Sequence, residues 1–111
     1  MGHADETSKG TPFDLADAVA YADGSVVSKT LLKKESGNIT LFAFDKGQGL
    51  SEHTAPFDAV VYIIDGHAEV TIGGDPRSVS SGRMLIMPAN IPHALHATER
   101  FKMLLVMIRS Q

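Results

Sequence analysis

The stretch GQGLSEHTAPFDAVVYIIDG, Gly47 to Gly66, sets His53 between a glycine-rich turn and a short apolar run. A second stretch, GRMLIMPANIPHALHA from Gly82 to Ala97, answers it with Pro88 and His93. The run Ala59 to Ile64 (AVVYII) is too short and too β-branched for a helix and reads as a buried strand. Asp65-Gly66 behind it is a hairpin signal, because tight hairpin turns need the positive φ that glycine accepts. After that turn Ala68, Val70 and Ile72 alternate with Glu69 and Thr71, which predicts a strand with one covered face.

The same rhythm continues on both sides. SVVSKTLLKK from Ser25 and NITLFAFD from Asn38 flank the turn cluster Glu35, Ser36, Gly37 and Asn38, and so predict a hairpin whose Lys33-Lys34-Glu35 tip is solvated. In its second arm Ile39, Leu41 and Ala43 share one face while Thr40, Phe42 and Phe44 share the other, so both faces need cover. Beyond Ile72, Gly73 to Pro76 and Ser81-Gly82 read as turns, and RSVS, MLIMP, HALHA and FKMLLVMIRS as strands. Upstream, FDLADAVAYA (13–22) brings Leu15, Val19 and Ala22 near helical spacing behind Asp14, a short capped helix to cover a sheet edge. Alternatively, Phe13 and Leu15 are extended and anchor on a neighbour. Residues 1–12 read as a flexible arm, with His3 solvent-exposed, and 13–111 as a single domain. Eight or nine strands without a solenoid repeat describe an all-β jelly roll.

Composition narrows the partners. At 111 residues the chain makes one core and one site. A net charge of -3 gives no basic footprint for nucleic acid. The sequence shows neither an apolar run near ~18 residues nor a signal peptide, so no membrane partner and a cytoplasmic location are expected. Zero cysteines leave any metal to histidine, carboxylate or amide ligands.

The spacing of the two stretches resembles the cupin family. Its first motif runs glycine, five residues, His-x-His, three or four residues, glutamate, six residues, glycine, and Gly47, His53 and Gly66 keep that frame. Its second runs glycine, five residues, proline, one residue, glycine, two residues, histidine, three residues, asparagine, and Gly82, Pro88 and His93 keep that one. The resemblance implies a double-stranded β-helix, the jelly-roll barrel of the cupin type (RmlC-like). It also implies a metal held by three histidines and a glutamate, but Ala55 and Ala59 stand where the second histidine and the glutamate are expected. Asn90 replaces the second motif's glycine, an exchange asparagine tolerates at positive φ, and Ala97 its asparagine. Asp58, one position from the glutamate's place, faces the other side of a regular strand unless a bulge turns it inward.

His53 and His93 are expected on facing strands with their rings in the barrel, where each ring nitrogen needs a partner. They read as metal ligands, as hydrogen-bonding or acid/base groups of a metal-free pocket, or as satisfied core histidines. His96 is expected at the rim or surface, reaching the pocket as a further metal ligand only through a bulge. His67 is expected at an exposed hairpin shoulder. Glu52, Thr54 and Tyr62 should point away from the interior, Phe57 should border the mouth, and Ile63, Met87 and Leu95 should line the pocket with the two histidines.

Four functions fit this reading. The first is a small-molecule binding or sensing module. The second is a metal-dependent cupin enzyme, of dioxygenase or isomerase type, with an incomplete histidine site for iron, manganese, nickel or zinc. The third is a metal-free isomerase or epimerase in which a histidine removes a proton alpha to a carbonyl. The fourth is a structural barrel without a small ligand. The doubly apolar first and last strands also call for cover that a homodimer would supply.

Overall fold

β-Branched and aromatic runs, cut by the glycine turns, become eight strands in the computed structural model, which describes residues 9–109. They are β1 (Val26–Lys34), β2 (Gly37–Phe44), β3 (Gly49–His53), β4 (Asp58–Ile72), β5 (Asp75–Ser80), β6 (Met84–Met87), β7 (His93–His96) and β8 (Phe101–Ile108). All pairings are antiparallel. One sheet runs β1-β2-β8-β4-β6, the other β5-β4-β7-β3, and β4 belongs to both. This is the curled, two-sheet jelly roll expected from the strand spacing.

The sharing of β4 corrects one expectation. Asp65-Gly66 is not a hairpin turn: the chain continues through it as a single strand of 15 residues. At this point the pairing with β8 slips, Ile63 opposing Met103 but Asp65 opposing Lys102. The extra residue makes a bulge, which bends the strand from one sheet into the other. It also resets the alternation. Ala59, Val61 and Ile63 face inward before the bulge, and Ala68 and Val70 after it. Gly66 has φ 75°, and a Cβ there would lie 2.1 Å from the Arg100 carbonyl oxygen. The Ser81-Gly82 turn docks on the bend through Ser81 N–H to Gly66 O (2.9 Å) and Gly82 N–H to Ile63 O (2.8 Å). His67, expected at a hairpin shoulder, is therefore a half-buried mid-strand residue, with Nε2 3.3 Å from Thr98 Oγ1.

The next turn is shorter than expected. Only Gly73 and Gly74 form it, with φ 58° and 83°, the double positive φ of a tight two-residue hairpin. Asp75 and Pro76 already pair with Ile72 and Thr71. Pro76 is tolerated because β5 is an edge strand.

Inward-facing residues of both sheets make one core, in which Phe44 and Phe101 stack at 4.4 Å and Val61, Ile63, Val70 and Met103 are fully buried. Of the helix expected over 13–22, only a 3₁₀ turn, Leu15–Asp17, forms. Asp14 caps it as expected, accepting from Ala16 N–H at 3.3 Å. This segment covers a face of the sheet and not an edge: Leu15, Ala18, Val19 and Tyr21 pack on Leu41, Ala43, Ile64 and Leu104. Polar contacts fasten it. Tyr21 donates its hydroxyl to Asp65 (2.6 Å), and Arg100 reaches both Asp45 (2.9 Å) and Asp23 (3.2 Å). The Arg100 guanidinium and the Gly24 N–H hold the Asp45 carboxyl down at about 2. Burial and the Asp65 hydrogen bond push the Tyr21 hydroxyl above its usual range. Most of the arm at 1–12, including His3, lies outside the described residues. No helix among the described residues is long and apolar enough to cross a membrane.

Candidate ligand pocket at the barrel mouth

The pocket begins with a second bulge. β3 and β7 pair with Leu50 opposite Leu95, but then His53, and not Glu52, stands opposite His93. On a regular strand Leu50 and Glu52 would share a face. The extra residue puts both Leu50 and His53 on the cavity side with Glu52 and Thr54 turned away, but His53 stays solvent-exposed at the rim, where a ring inside the barrel was expected, and only His93 is buried. On β7 the alternation is regular: His93 and Leu95 are buried and His96 is exposed. His53 and His93 thus sit on neighbouring, paired strands, where facing strands were expected. They come together across 40 residues of chain, Nε2 to Nε2 at 3.2 Å.

The loop between β6 and β7 frames the opening. Asn90 takes φ 65°, the conformation expected at its motif position. Its N–H donates to Ala55 O (2.7 Å), and Ala89 N–H donates to Asp58 Oδ1 (2.8 Å). The Asp58 carboxylate therefore pins the loop from outside. Behind the histidines lies a narrow cavity with about 50 Å³ open to a water-sized sphere. Met87, Leu95 and Ala59 form its walls, Ala55 and Phe57 its mouth, and Met103, Leu105 and Met107 of β8 its floor. Ile63, expected in the lining, is fully buried deeper in the core and does not border the cavity. His96 does not border it either. The floor was missed because alternation shows which residues of β8 face inward, but not that this strand lies behind the histidines.

The ring orientations have a chemical consequence. His53 Nδ1 lies 2.9 Å from Ser51 O, and His93 Nδ1 lies 3.2 Å from Ile91 O. A carbonyl only accepts, so both Nδ1 atoms carry the hydrogen. The neutral rings then aim two Nε2 lone pairs at one another, an arrangement that calls for a shared proton or another electrophile between them. Burial, and then the neighbouring His53 ring, push the His93 pKa below its ordinary value. The unfolded chain therefore takes up this proton at a higher pH than the folded one. The contribution to stability is present above the ordinary histidine value of about 6.5 and is lost as pH falls through and below it. Urea unfolding should show lower stability at pH 5.5 than at pH 8, and His93→Gln should reduce that difference. An identical pH profile in the variant would remove His93 as the cause.

A four-ligand histidine and glutamate centre does not fit these residues. Ala55 and Ala59 border the cavity beside the pair, so the expected ligand positions are present but carry methyl groups. Among the described residues no group of three or more His, Asp or Glu side chains is placed to hold a metal ion.

The family model described as "Cupin domain" matches residues 40–109. A conserved protein of unknown function from Streptococcus pyogenes is 39% identical, covering 100% of this chain and 92% of its own, with a TM-score of 0.87. A Cupin 2 conserved barrel domain protein from Leptotrichia buccalis is 43% identical over 87% of this chain and 47% of its own, with a TM-score of 0.85. An uncharacterized protein of Streptomyces coelicolor is 28% identical over 77 residues, which is 69% of this chain and 71% of that one.

Proposed function

This chain belongs to the cupin domain family, and on that premise we propose that it binds a small molecule in the barrel mouth. The observation that carries this reading is the convergence of two histidines on one end of a cavity that is otherwise apolar. Small-molecule sites combine such a wall with a few convergent polar groups. The ligand has an apolar body for the methionine-lined interior and a polar head for the imidazoles. Its entry requires side chains to move, because the cavity is far smaller than the ~300 Å³ at which ligand pockets begin. Met87, Met103 and Met107 are suited to this, since an unbranched thioether repacks at little cost.

A second reading, an enzyme using a two-histidine metal site, is favoured by the ring geometry. Both Nδ1–H groups are held by backbone carbonyls, the arrangement that fixes metal-ligating imidazoles. The 3.2 Å between the Nε2 atoms is also within reach of one ion bound at about 2.0–2.1 Å from each. Iron, manganese, nickel or zinc would suit imidazole, with water or substrate completing the shell.

One sample decides between them. On protein purified without a polyhistidine tag, a thermal-shift screen of small carboxylates, phenols and amides with short apolar tails should find compounds that raise the melting temperature. A ligand at 100 times its Kd stabilises by about 2.7 kcal/mol, well above detection. His93→Ala should abolish the shift. Elemental analysis of the same protein tests the second reading, which fails if no stoichiometric metal is found or if His53→Ala and His93→Ala do not change it. A screen without hits, together with a crystal structure showing the cavity packed shut, would overturn the binding reading.

A further inference from the structure

The two rings at the barrel mouth are one hydrogen short. They enter three contacts that each need one: His53 Nδ1 with Ser51 O (2.9 Å), His93 Nδ1 with Ile91 O (3.2 Å), and Nε2 with Nε2 (3.2 Å). A neutral imidazole carries a single N–H, so two rings bring two hydrogens to three places. The carbonyls, which cannot donate, take both. Two lone pairs are left converging at the end of the cavity with no hydrogen between them.

The neighbouring groups do not supply it. Every other side chain lining the cavity is alanine, leucine, methionine or phenylalanine, and none of these donates. At the mouth the N–H of Asn90 is already given to Ala55 O (2.7 Å), and that of Ala89 to Asp58 Oδ1 (2.8 Å). These groups leave a ligand two acceptors and no donor. A head that only accepts, such as a ketone, an ether or a carboxylate, meets the lone pairs with its own and gives up hydration without return. A head carrying O–H or N–H brings the missing hydrogen. With the Nε2 atoms 3.2 Å apart, one donor atom beside them reaches both at about 2.9 Å, so a single hydroxyl hydrogen can be shared by the two rings. No carboxylate lines the cavity, so a cationic head would enter without a counter-charge, and the fitting head is uncharged.

Resting on the small-molecule reading of this pocket, we infer that its ligand is an uncharged hydrogen-bond donor, a hydroxyl or primary amide on an apolar body, and that acceptor-only molecules of the same shape are excluded. Cyclohexanol, cyclohexanone and cyclohexanecarboxylate are the probes, nearly equal in body and different in head. They are titrated at pH 8, well above the ordinary histidine value of about 6.5, so that both rings are neutral. The protein carries no polyhistidine tag and is dialysed against a chelator, so that no metal ion takes the lone pairs. Cyclohexanol should bind at least about 10-fold more tightly than cyclohexanone, with the carboxylate weaker still. His53→Gln, at an exposed position where the fold is not at risk, sets an amide N–H beside His93 Nε2 and should cut the preference to about 3-fold or less. Nitrogen NMR of the cyclohexanol complex should show both rings as Nδ1–H tautomers. Cyclohexanone or the carboxylate binding as tightly as cyclohexanol overturns the inference and leaves the small-molecule reading standing. So does an unchanged preference in His53→Gln, or an Nε2–H tautomer in the complex. If none of the three probes binds, the inference falls, and the broad thermal-shift screen decides separately whether the small-molecule reading falls with it.

Discussion

Gly66→Ala is expected to destabilise the protein by about 2 to 6 kcal/mol, a large share of the roughly 5–15 kcal/mol by which ordinary domains are stable. Two costs add. The backbone sits at φ 75°, a region that costs a residue with a Cβ about 1 to 3 kcal/mol. The new Cβ would also lie 2.1 Å from the Arg100 carbonyl oxygen and 3.1 Å from the Phe101 Cα. Those atoms are backbone entering β8, so the strain cannot be relieved by a rotamer, and overpacking of this kind costs a further ~1 to 3 kcal/mol. The position matters beyond its own contacts. The bulge at Ile64, two residues before Gly66, carries β4 between the sheets and turns Ala68 and Val70 inward, so a shift at Gly66, where β8 comes closest to the bend, displaces both sheets. Gly74→Ala isolates the first cost, because Gly74 also has positive φ (83°) but nothing lies within 4 Å of its Cβ position. Urea unfolding of both variants should show Gly66→Ala worse by about 1 to 3 kcal/mol, the overpacking cost alone. Equal losses would mean that the approach of β8 to the bend is not what requires glycine.

The same residue shows where sequence reading stops. An Asp-Gly pair reports that the chain needs positive φ, and that was correct. Whether positive φ makes a turn or a bulge depends on what lies alongside, and here β8 pairs with β4 on both sides of the slip. That partner is about 40 residues away in sequence, beyond the reach of local pattern. The motif spacing, in contrast, carried long-range information. It placed His53 and His93 in one site, and they meet at 3.2 Å. It also allowed an unusual φ at Asn90. It did not show that an extra residue in β3 puts Leu50 and His53 both on the cavity side, because period 2 assumes an unbroken ladder. The depth of Ile63 escaped for a related reason. Alternation gives the face of a residue but not its height in the barrel, and Ile63 lies below the cavity that Met87 and Leu95 border.

Replacing Ala55 by histidine and Ala59 by glutamate together is expected to convert the pocket into a divalent metal site. Both alanines border the same cavity as His53 and His93, so the new donors would start within the existing pocket. Two direct donors should raise affinity for zinc or nickel by at least about 100-fold over the wild type, since the loss of a single outer hydrogen-bond partner already costs 10- to 100-fold at metal sites. Without metal the double variant should be less stable than the wild type. Ala59 is buried and paired with Met87 and Met107, so a glutamate there would sit among thioethers and must give up hydration. Burial would raise the pKa of that carboxyl, so the apo protein should lose most stability above neutral pH, where the acid must ionise. Bound metal reverses the sign: it favours the ionised carboxylate and should restore the melting temperature, more so as pH rises and protons cease to compete for the imidazoles. Titration calorimetry and melting curves at pH 6 and 8, with and without zinc, read both effects. If the double variant binds no more tightly than the wild type, or if metal fails to restore its melting temperature, the two methyl groups are not what separates this pocket from a metal centre.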